Sequence, residues 1–520
     1  MRFLFESLNK LDQKIDSYIN SKSCFISTAC ILSLFIFLKW KDLFIPLWDD
    51  ELVYAPNNLL DLEFSFFLPW NYDSNLFFGH PFLHPLILYI TSSLFGFNVF
   101  PLKMISLILS FFCLGALYKM TLSLFKDKSI AFFTLLFCSF QDLFFAHSSF
   151  VLADILMMGL GFVNIYTFIE KKYKSLMFFS VALATSRESS LGFLLPLFLY
   201  AIFNKKQHKK SFFYIIPSLF VFLSHFLISF LKHGHLSTHP YTLGELPHNP
   251  HARFFDFSIF FDNSFNFFNW FLTFYPSIWF KLFCFSIILF LYSFIQSKKL
   301  NLNIKKEIFI PLGMIFLFYM FWILWPDQLE RNFFPIFIFF ISIGNAFIIK
   351  YLPFSKILIL LAFIFSFFSK FDFSKSKNLN ELKLSFDKKT FKNKSFESFN
   401  YYQFQQVIFL ISYLNKNYLD KNYFQNKKLL IYWNIYEMTT HKTYKKERLK
   451  SKQISKHYGY YTDVKNEKVN LSTPPHHEFN IIVFKIDDHE FEDFLKKDSF
   501  FVQVEVPQLE IYKLFVKKEI

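Results

Sequence analysis

The sequence predicts an α-helical polytopic membrane protein with a small α/β domain at its C-terminal end, and three observations support this fold class. Of the 520 residues, 53% are hydrophobic and only 18% are charged, whereas about a quarter of the residues in an ordinary soluble domain are charged. Apolar runs long enough to cross a bilayer recur from Cys24 to about Ser369. Beyond residue 369 the hydropathy falls and short alternating segments replace these runs. The composition excludes an intrinsically disordered chain and argues against a simple soluble enzyme.

The apolar runs predict about eleven membrane spans. They lie at residues 24–39, 101–119, 129–147, 151–169, 174–190, 190–204, 211–231, 277–296, 307–325, 333–349 and 355–369. Basic residues precede the first run and no small-residue cleavage site follows it, so this run is predicted to be a retained anchor rather than a signal peptide. Residues 1–23 then form a cytoplasmic N-terminal segment, and residues 24–369 form the transmembrane domain.

The side on which each loop lies depends on residues 81–97, an apolar stretch of marginal length that His84 and Pro85 interrupt. If this stretch lies along the outer surface as an interfacial helix, most Lys and Arg residues near span ends fall on the cytoplasmic side, as the positive-inside rule requires. We therefore expect a multi-pass membrane protein with its N-terminus inside and its C-terminal domain outside. Residues 40–100 and 232–276 become the large outer loops.

Residues 370–520 are predicted to form this soluble C-terminal α/β domain. Their pattern indicates a helix at 401–419, strands at 429–433, 480–486, 500–506 and 509–516, and a short helix at about 489–497.

The net charge of +15 does not indicate nucleic-acid binding, because the cations outside the C-terminal domain cluster between apolar runs. The five cysteines lie in apolar stretches without a CxxC pair, so neither a disulfide framework nor a zinc site is predicted. Histidines of the 232–276 loop have irregular spacing and support a metal site only weakly. No phosphate-binding loop, GxGxxG, GxSxG or HExxH motif occurs. We predict no metal site and no required cofactor, and leave dependence on a divalent metal open.

The first candidate for chemistry is the segment from Trp48 to Tyr54, which carries Asp49, Asp50 and Glu51 in succession directly after the first span. Three adjacent carboxylates repel one another and must be solvated, paired or used. A hydrated loop that keeps the segment outside explains them as well as a carboxylate base that faces a lipid-borne substrate.

Three further clusters lie at the outer ends of predicted spans. Asp154 is either a functional intramembrane acid or a helix N-terminal acid favoured by the helix dipole. Arg187 and Glu188 either pair with each other or leave Arg187 to bind a phosphate. Arg331 is either a phosphate ligand or a cation that anchors a helix at the interface. Random polar residues would distribute over both faces, so their common placement predicts one outward-facing site.

With these positions in hand, the chain resembles the membrane-embedded GT-C glycosyltransferases, and in particular the branch of protein O-mannosyltransferases and lipid A aminoarabinose transferases. The similarity covers about residues 24–350 and rests on motifs in the same order. These are Trp48–Tyr54, the histidine- and proline-containing segment Gly79–Leu86, Ser149–Asp154, Thr185–Ser189 followed by Pro196, and Arg331–Pro335. The C-terminal domain matches only in position and general α/β character.

This resemblance implies a transferase of the bacterial inner membrane that takes a sugar from a polyprenyl-phosphate carrier, inverts the anomeric centre and works on an extracytoplasmic acceptor. The partners are then the lipid-linked sugar, the bilayer, and an acceptor that is a protein hydroxyl, lipid A or a glycan. The catalytic residues are predicted to be Asp50, as the base, with Glu51 and Asp154. The residues predicted to bind the donor phosphate are Arg187, Arg331 and His80.

Three departures from the family pattern affect the donor site. Arg187 stands where the family usually has Lys, which preserves the charge but alters its geometry. His80 stands where some members carry Lys, so its charge depends on pH. The usual Arg before the second acidic position is absent.

Two other classes of protein remain alternatives. A polysaccharide polymerase or ligase also uses polyprenyl-linked substrates, but it predicts a large outer loop with paired arginines, and the 232–276 loop offers only Lys232 and Arg253. A non-catalytic transporter or assembly scaffold would keep the outer acids merely solvated. An enzyme requires these charged residues around one cavity.

Overall fold

A computed structural model describes residues 2–21, 23–44, 47, 51, 54–56, 59–68, 70–73, 80–233, 277–297, 308–324 and 334–368. Beyond residue 408 it describes five strands and a few residues beside them. Among the site residues predicted above, Asp50 and Arg331 lie outside the described residues.

The described part of the transmembrane region is helical throughout. Its helices are α1 (Arg2–Asn20), α2 (Ser23–Lys39), α3 (Leu83–Phe95), α4 (Val99–Phe125), α5 (Lys128–Ser139), α6 (Asp142–His147), α7 (Ala153–Ile169), α8 (Tyr173–Ala184), α9 (Leu191–Phe203), α10 (Lys205–His233), α11 (Ser277–Ser297), α12 (Phe309–Leu324), α13 (Phe334–Tyr351) and α14 (Ser355–Phe368). Every apolar run predicted from the sequence coincides with a helix, so the helical fold class is confirmed. The number of membrane spans stays a prediction.

Three local differences from the prediction have physical reasons. The run at 129–147 divides into α5 and α6, because the Gln141 side chain accepts a hydrogen bond from Phe144 N–H (2.9 Å) and so caps a new helix. The predicted spans meeting at residue 190 are separated by a turn over residues 185–190 that carries the polar Ser-Arg-Glu-Ser sequence. The N-terminal segment forms α1, which the search for apolar runs missed because its apolar residues are spaced along one face.

Two of the described helices are long and apolar enough to cross a membrane by length and composition, namely α4 and residues 208–232 of α10. Shorter apolar helices accompany them through most of the region from residue 28 to 367. Large apolar side chains such as Phe178, Phe203 and Phe220 are exposed on these helices. Exposed apolar side chains of this size suit contact with lipid tails rather than water.

At one end of the bundle, acidic side chains of α1 hold the starts of two other helices. Asp12 Oδ1 accepts from the backbone N–H groups of Lys356 (3.0 Å) and Ile357 (3.3 Å) in the first turn of α14. Asp16 accepts from the hydroxyl of Ser129 (2.7 Å) at the start of α5. The free N–H groups of a helix start favour such carboxylates.

Close packing joins the helices at the centre. A Cβ built on Gly161 of α7 would lie 2.5 Å from the ring of Phe193 in α9, so only glycine admits this contact. The indole N–H of Trp279 donates to Asn345 Oδ1 (2.8 Å), and Asn345 Nδ2 lies 3.3 Å from Thr134 Oγ1. This buried chain of hydrogen bonds links α11, α13 and α5.

The C-terminal region contains a five-stranded sheet in the order β2-β1-β3-β5-β4. Its strands are β1 (Leu429–Tyr432), β2 (Ile454–His457), β3 (Ile481–Lys485), β4 (Phe501–Val504) and β5 (Tyr512–Lys517). β1 runs parallel to β2 and β3, and β5 runs antiparallel to β3 and β4. The four predicted strands are present, whereas β2 was missed because its sequence Ile-Ser-Lys-His lacks apolar alternation. Most residues of the helices predicted at 401–419 and 489–497 lie outside the described part.

Candidate functional site

A buried ion pair lies at the end of the bundle opposite to the Asp12 and Asp16 contacts. It joins α4 to the loop between α2 and α3 (residues 40–82). Nζ of Lys103 lies 2.8 Å and 3.0 Å from the two carboxylate oxygens of Glu51. Both side chains are 1% exposed. Lys103 lies in the first turns of α4, where its stem runs along the apolar helix while its charge meets Glu51. The loop is thereby held against α4.

The same carboxylate reaches the segment that leads into α7. The N–H of Val151 donates to Oε1 of Glu51 (2.9 Å). Nζ of Lys103 also lies 5.2 Å from the centre of the Phe150 ring. Three residues after Val151 stands Asp154, in the first turn of α7. Glu51 is therefore linked by a short stretch of backbone to the second predicted acid.

Asp154 forms an ion pair with Arg187, whose guanidinium contacts its Oδ1. The two side chains are 3% and 9% exposed, respectively. Oδ2 of Asp154 is buried and has no hydrogen-bond partner among the described residues. Arg187 itself lies in the turn between α8 and α9. This pair joins two segments that were singled out separately in the sequence.

His80 and Glu188 form a second contact at this turn. His80 Nδ1 lies 3.1 Å from both carboxylate oxygens of Glu188. Burial opposes ionisation of Glu188, but the His80 ring, its hydrogen bond and the nearby Arg187 outweigh it and lower the pKa of Glu188 to about 2. Glu188 is therefore a carboxylate at neutral pH. Arg187 and Glu188 thus take different partners, and the internal pair considered from the sequence is not needed to explain either residue.

Rings from the loop between α2 and α3 and from the start of α3 pack around His80. The ring of Tyr54 stacks on His80 with centroids 4.8 Å apart, and the edge of His84 meets the same Tyr54 ring at 5.0 Å. His84 is fully buried, and neither of its ring nitrogens has a hydrogen-bond partner among the described residues. Tyr54, the last residue of the Trp48–Tyr54 motif, thus lines the site.

Hydrogen bonds to backbone carbonyls hold the segment around His80 against the neighbouring parts of the site. The hydroxyl of Tyr72 donates to the His80 carbonyl (2.7 Å), and burial raises the pKa of Tyr72, so that it stays a donor. The N–H of Leu83 donates to the Thr185 carbonyl (3.0 Å), directly before the Arg187 turn. Nζ of Lys232 donates to the Tyr72 carbonyl (2.9 Å), which brings the end of α10 to the same place.

The structure therefore gathers four of the predicted site residues, namely Glu51, His80, Asp154 and Arg187. Lys103 also lies in this group, and it is not among the site residues predicted from the sequence. A lysine inside a predicted span is a costly group that marks a partner or a function, and this signal was present in the run at 101–119.

Within the described ranges, no group of three or more His, Cys, Asp or Glu side chains is arranged to hold a metal ion. The histidines of the 232–276 loop lie almost entirely outside those ranges. Metal dependence therefore stays a prediction.

Comparison with known proteins follows this geometry. Residues 79–230 match the family model described as dolichyl-phosphate-mannose-protein mannosyltransferase. This stretch contains His80, Lys103, Asp154 and Arg187. No curated protein sequence matches the chain.

Two crystal structures of ArnT from Cupriavidus metallidurans share the fold. The apo structure aligns with a TM-score of 0.51 at 10% identity, covering 95% of this chain and 98% of ArnT. The structure of ArnT bound to undecaprenyl phosphate aligns with a TM-score of 0.50 at 10% identity, with the same coverage of both chains. A membrane location follows from this fold together with the exposed apolar helices. The resemblance predicted from the sequence is thereby confirmed, and the chain has a GT-C fold of the ArnT type.

Proposed function

We propose that the protein is an integral-membrane glycosyltransferase that moves a sugar from a polyprenyl-phosphate carrier to an acceptor outside the cytoplasm. The observation that carries this proposal is the convergence of His80, Asp154 and Arg187 at one end of the helices. All three lie within the stretch that matches the mannosyltransferase family model. The ArnT fold, in a protein crystallised with undecaprenyl phosphate, supports a polyprenyl-phosphate donor.

The Asp154–Arg187 pair has the chemistry that a lipid-linked donor requires. When the sugar leaves, negative charge develops on the carrier phosphate, and a guanidinium can bind two phosphate oxygens at once. Asp154 holds Arg187 through Oδ1 and keeps Oδ2 free of other described side chains. A phosphate that displaced part of this contact would gain a cation already positioned by the fold.

His80 is the second proposed phosphate ligand. Its Nδ1 lies 3.1 Å from Glu188, and the second nitrogen of an imidazole lies on the other side of the ring. A ring nitrogen that carries a hydrogen can donate it to an anion such as a phosphate. Arg331, which lies outside the described residues, is the third proposed ligand.

The reaction also needs a base that removes the acceptor proton, and we assign this role to Asp50. It directly precedes Glu51, which is bound to Lys103, and a carboxylate at this position can take the proton of an acceptor hydroxyl. Attack from the side opposite to the leaving phosphate gives inversion at the anomeric carbon. No cofactor is needed for this chemistry.

The decisive experiment is sugar transfer by the purified protein in vesicles that contain radiolabelled lipid-linked sugars. We expect wild-type protein to consume one such donor and Asp50→Asn to slow consumption by at least about a hundredfold, the scale of general-base catalysis. Asp61→Asn makes the same chemical change at an exposed position of the same outer loop and serves as the control. EDTA should leave the rate unchanged if no divalent metal takes part.

The alternatives give different results in this assay. A transporter or scaffold consumes no donor with either variant. A polymerase or ligase transfers preassembled glycans rather than single sugars. Asp50→Asn activity close to wild type, with transfer intact, removes Asp50 from the role of base.

A further inference from the structure

The segment before α7, residues 148–152, is held by an unusual set of contacts. The residue before the helix, Leu152, is extended (φ −126°, ψ 147°) and makes no side-chain cap. The N–H of Val151, one residue earlier, donates instead to Glu51 Oε1 (2.9 Å). The carbonyl of Ser148 accepts from the hydroxyl of Ser110 (2.8 Å) in α4. Contacts from outside the segment therefore set the position at which α7 begins.

The acceptor at Val151 depends on Lys103. Glu51 is 1% exposed, so without a cation its charge would be unpaired in a buried place. Nζ of Lys103 contacts both oxygens of Glu51 and also lies over the ring of Phe150. Lys103 and Ser110 lie seven residues apart on one face of α4. One helix face thus holds the segment at two points, at Val151 through Glu51 and at Ser148 three residues earlier.

Buried ion pairs contribute little net stability, because desolvation cancels most of the attraction. What this pair adds is a fixed hydrogen-bond acceptor beside a backbone N–H. That N–H lies three residues before Asp154, whose Oδ1 contacts Arg187. A shift of the segment would move Asp154 relative to Arg187.

We propose that Lys103 is a positioning residue of the transferase: it holds Glu51 on Val151 N–H and thereby sets Asp154 against Arg187. This inference rests on the proposed function and deepens it. It assigns Glu51 to a structural hydrogen bond, in place of the acid–base role expected from the sequence.

Two double variants isolate the hydrogen bond. Lys103→Met with Glu51→Gln removes both charges but keeps a side-chain oxygen for Val151 N–H. Lys103→Met with Glu51→Leu removes both charges and the acceptor. Neither leaves an unpaired buried charge, so the two differ chiefly in that one contact. Lys126→Met with Glu170→Gln makes equivalent changes in the exposed pair at the opposite end of α4 and is the control.

We expect the Gln-containing double to keep kcat within about threefold of wild type, and the Leu-containing double to lose about tenfold in kcat. The KM for the lipid-linked donor should rise in the Leu-containing double and not in the Gln-containing double, because displacement of Asp154 disturbs Arg187, a proposed phosphate ligand. Hydrogen exchange of the amides in residues 148–153 should be faster in the Leu-containing double than in the Gln-containing double. Thermal unfolding of all variants is measured in the same detergent.

Equal kcat and equal amide exchange in the two doubles would overturn the proposal. So would a loss of about a hundredfold in both with unchanged exchange, because Glu51 would then act in acid–base chemistry. If wild-type protein transfers no sugar, the proposed function fails, and the exchange comparison alone decides this inference. If a double fails to fold, the single variants Glu51→Gln and Glu51→Leu replace the pair, since both remove the carboxylate charge beside Lys103 and only Gln keeps an oxygen for Val151 N–H.

Discussion

The two buried ion pairs at the end of the bundle that carries the candidate site differ in how fully their carboxylates are bonded. Both oxygens of Glu51 contact Lys103, and one of them also accepts from Val151 N–H. Asp154 contacts Arg187 through Oδ1 alone, and its buried Oδ2 has no described partner. The first pair is closed, whereas the second keeps unused capacity for hydrogen bonds.

This difference in bonding indicates that one ion pair positions the site and the other binds substrate. A closed buried pair binds nothing further, because any new ligand would first have to break bonds that burial makes strong. An open pair holds a polar atom in a place where leaving it unbonded costs about 1–3 kcal/mol. A ligand that satisfies that atom recovers this free energy. Asp154 and Arg187 are therefore where we expect substrate to bind, and Glu51 and Lys103 are where we expect the site to be held.

The largest expected effect comes from removing the Arg187 side chain from its ion pair with Asp154. Arg187→Ala removes the guanidinium and leaves Asp154 as an uncompensated buried charge, so we expect transfer to fall by about a thousandfold. Arg187→Lys keeps the charge without the planar fork and should lose less. Initial rates at saturating and limiting lipid-linked sugar measure both changes.

The control for this comparison is Lys356→Ala, a cation at the opposite end of the bundle that pairs with Asp12. It should leave transfer unchanged. Equal losses from Arg187→Ala and Arg187→Lys, with both proteins folded, would contradict a bidentate phosphate contact at Arg187.

A smaller effect is expected from the His80–Glu188 contact, and it has a defined pH dependence. Because the folded state lowers the pKa of Glu188 from 4.5 to about 2, the contact contributes its full stability above about pH 4.5. That contribution is lost as pH falls through about 2. The Glu188 side chain is 34% exposed, so solvent screens the pair and the effect is modest.

Thermal unfolding of wild type and Glu188→Gln between pH 2 and 6 checks this expectation. The melting temperatures of the two proteins should differ most at pH 5–6 and converge as the pH falls. A difference that grows towards low pH would show that another group dominates.

The sequence was sufficient to predict the helices of this fold, because a bilayer imposes a length and an apolar composition that can be counted. The sequence analysis did not predict α1, because this helix is amphipathic and contains no continuous apolar run that could be counted. It also missed β2, which carries a single apolar residue.

The sequence predicted that the site residues share one face of the protein, but it did not predict which of them contact one another. Topology placed Glu51, His80, Asp154 and Arg187 on one side, and the structure brings them together. Which cation meets which carboxylate depends on helix rotation, and one residue of rotation turns a side chain by about 100°. For this reason the sequence analysis considered Glu188 as the partner of Arg187, whereas Arg187 pairs with Asp154 in the structure. The ion pair between Lys103 and Glu51 was not predicted.

The smallest effect is expected from the Lys126–Glu170 pair, which sharpens the comparison between buried and exposed charges. Its atoms are as close as those of the buried pairs (2.5 Å), but its side chains are 48% and 32% exposed. Lys126→Met should therefore change the free energy of unfolding by less than about 1 kcal/mol and leave transfer unchanged. Chemical denaturation in detergent and the vesicle assay measure the two quantities. A loss as large as that of Arg187→Ala would mean that burial does not distinguish the two ends of the bundle, and that distance alone decides what an ion pair contributes in this protein.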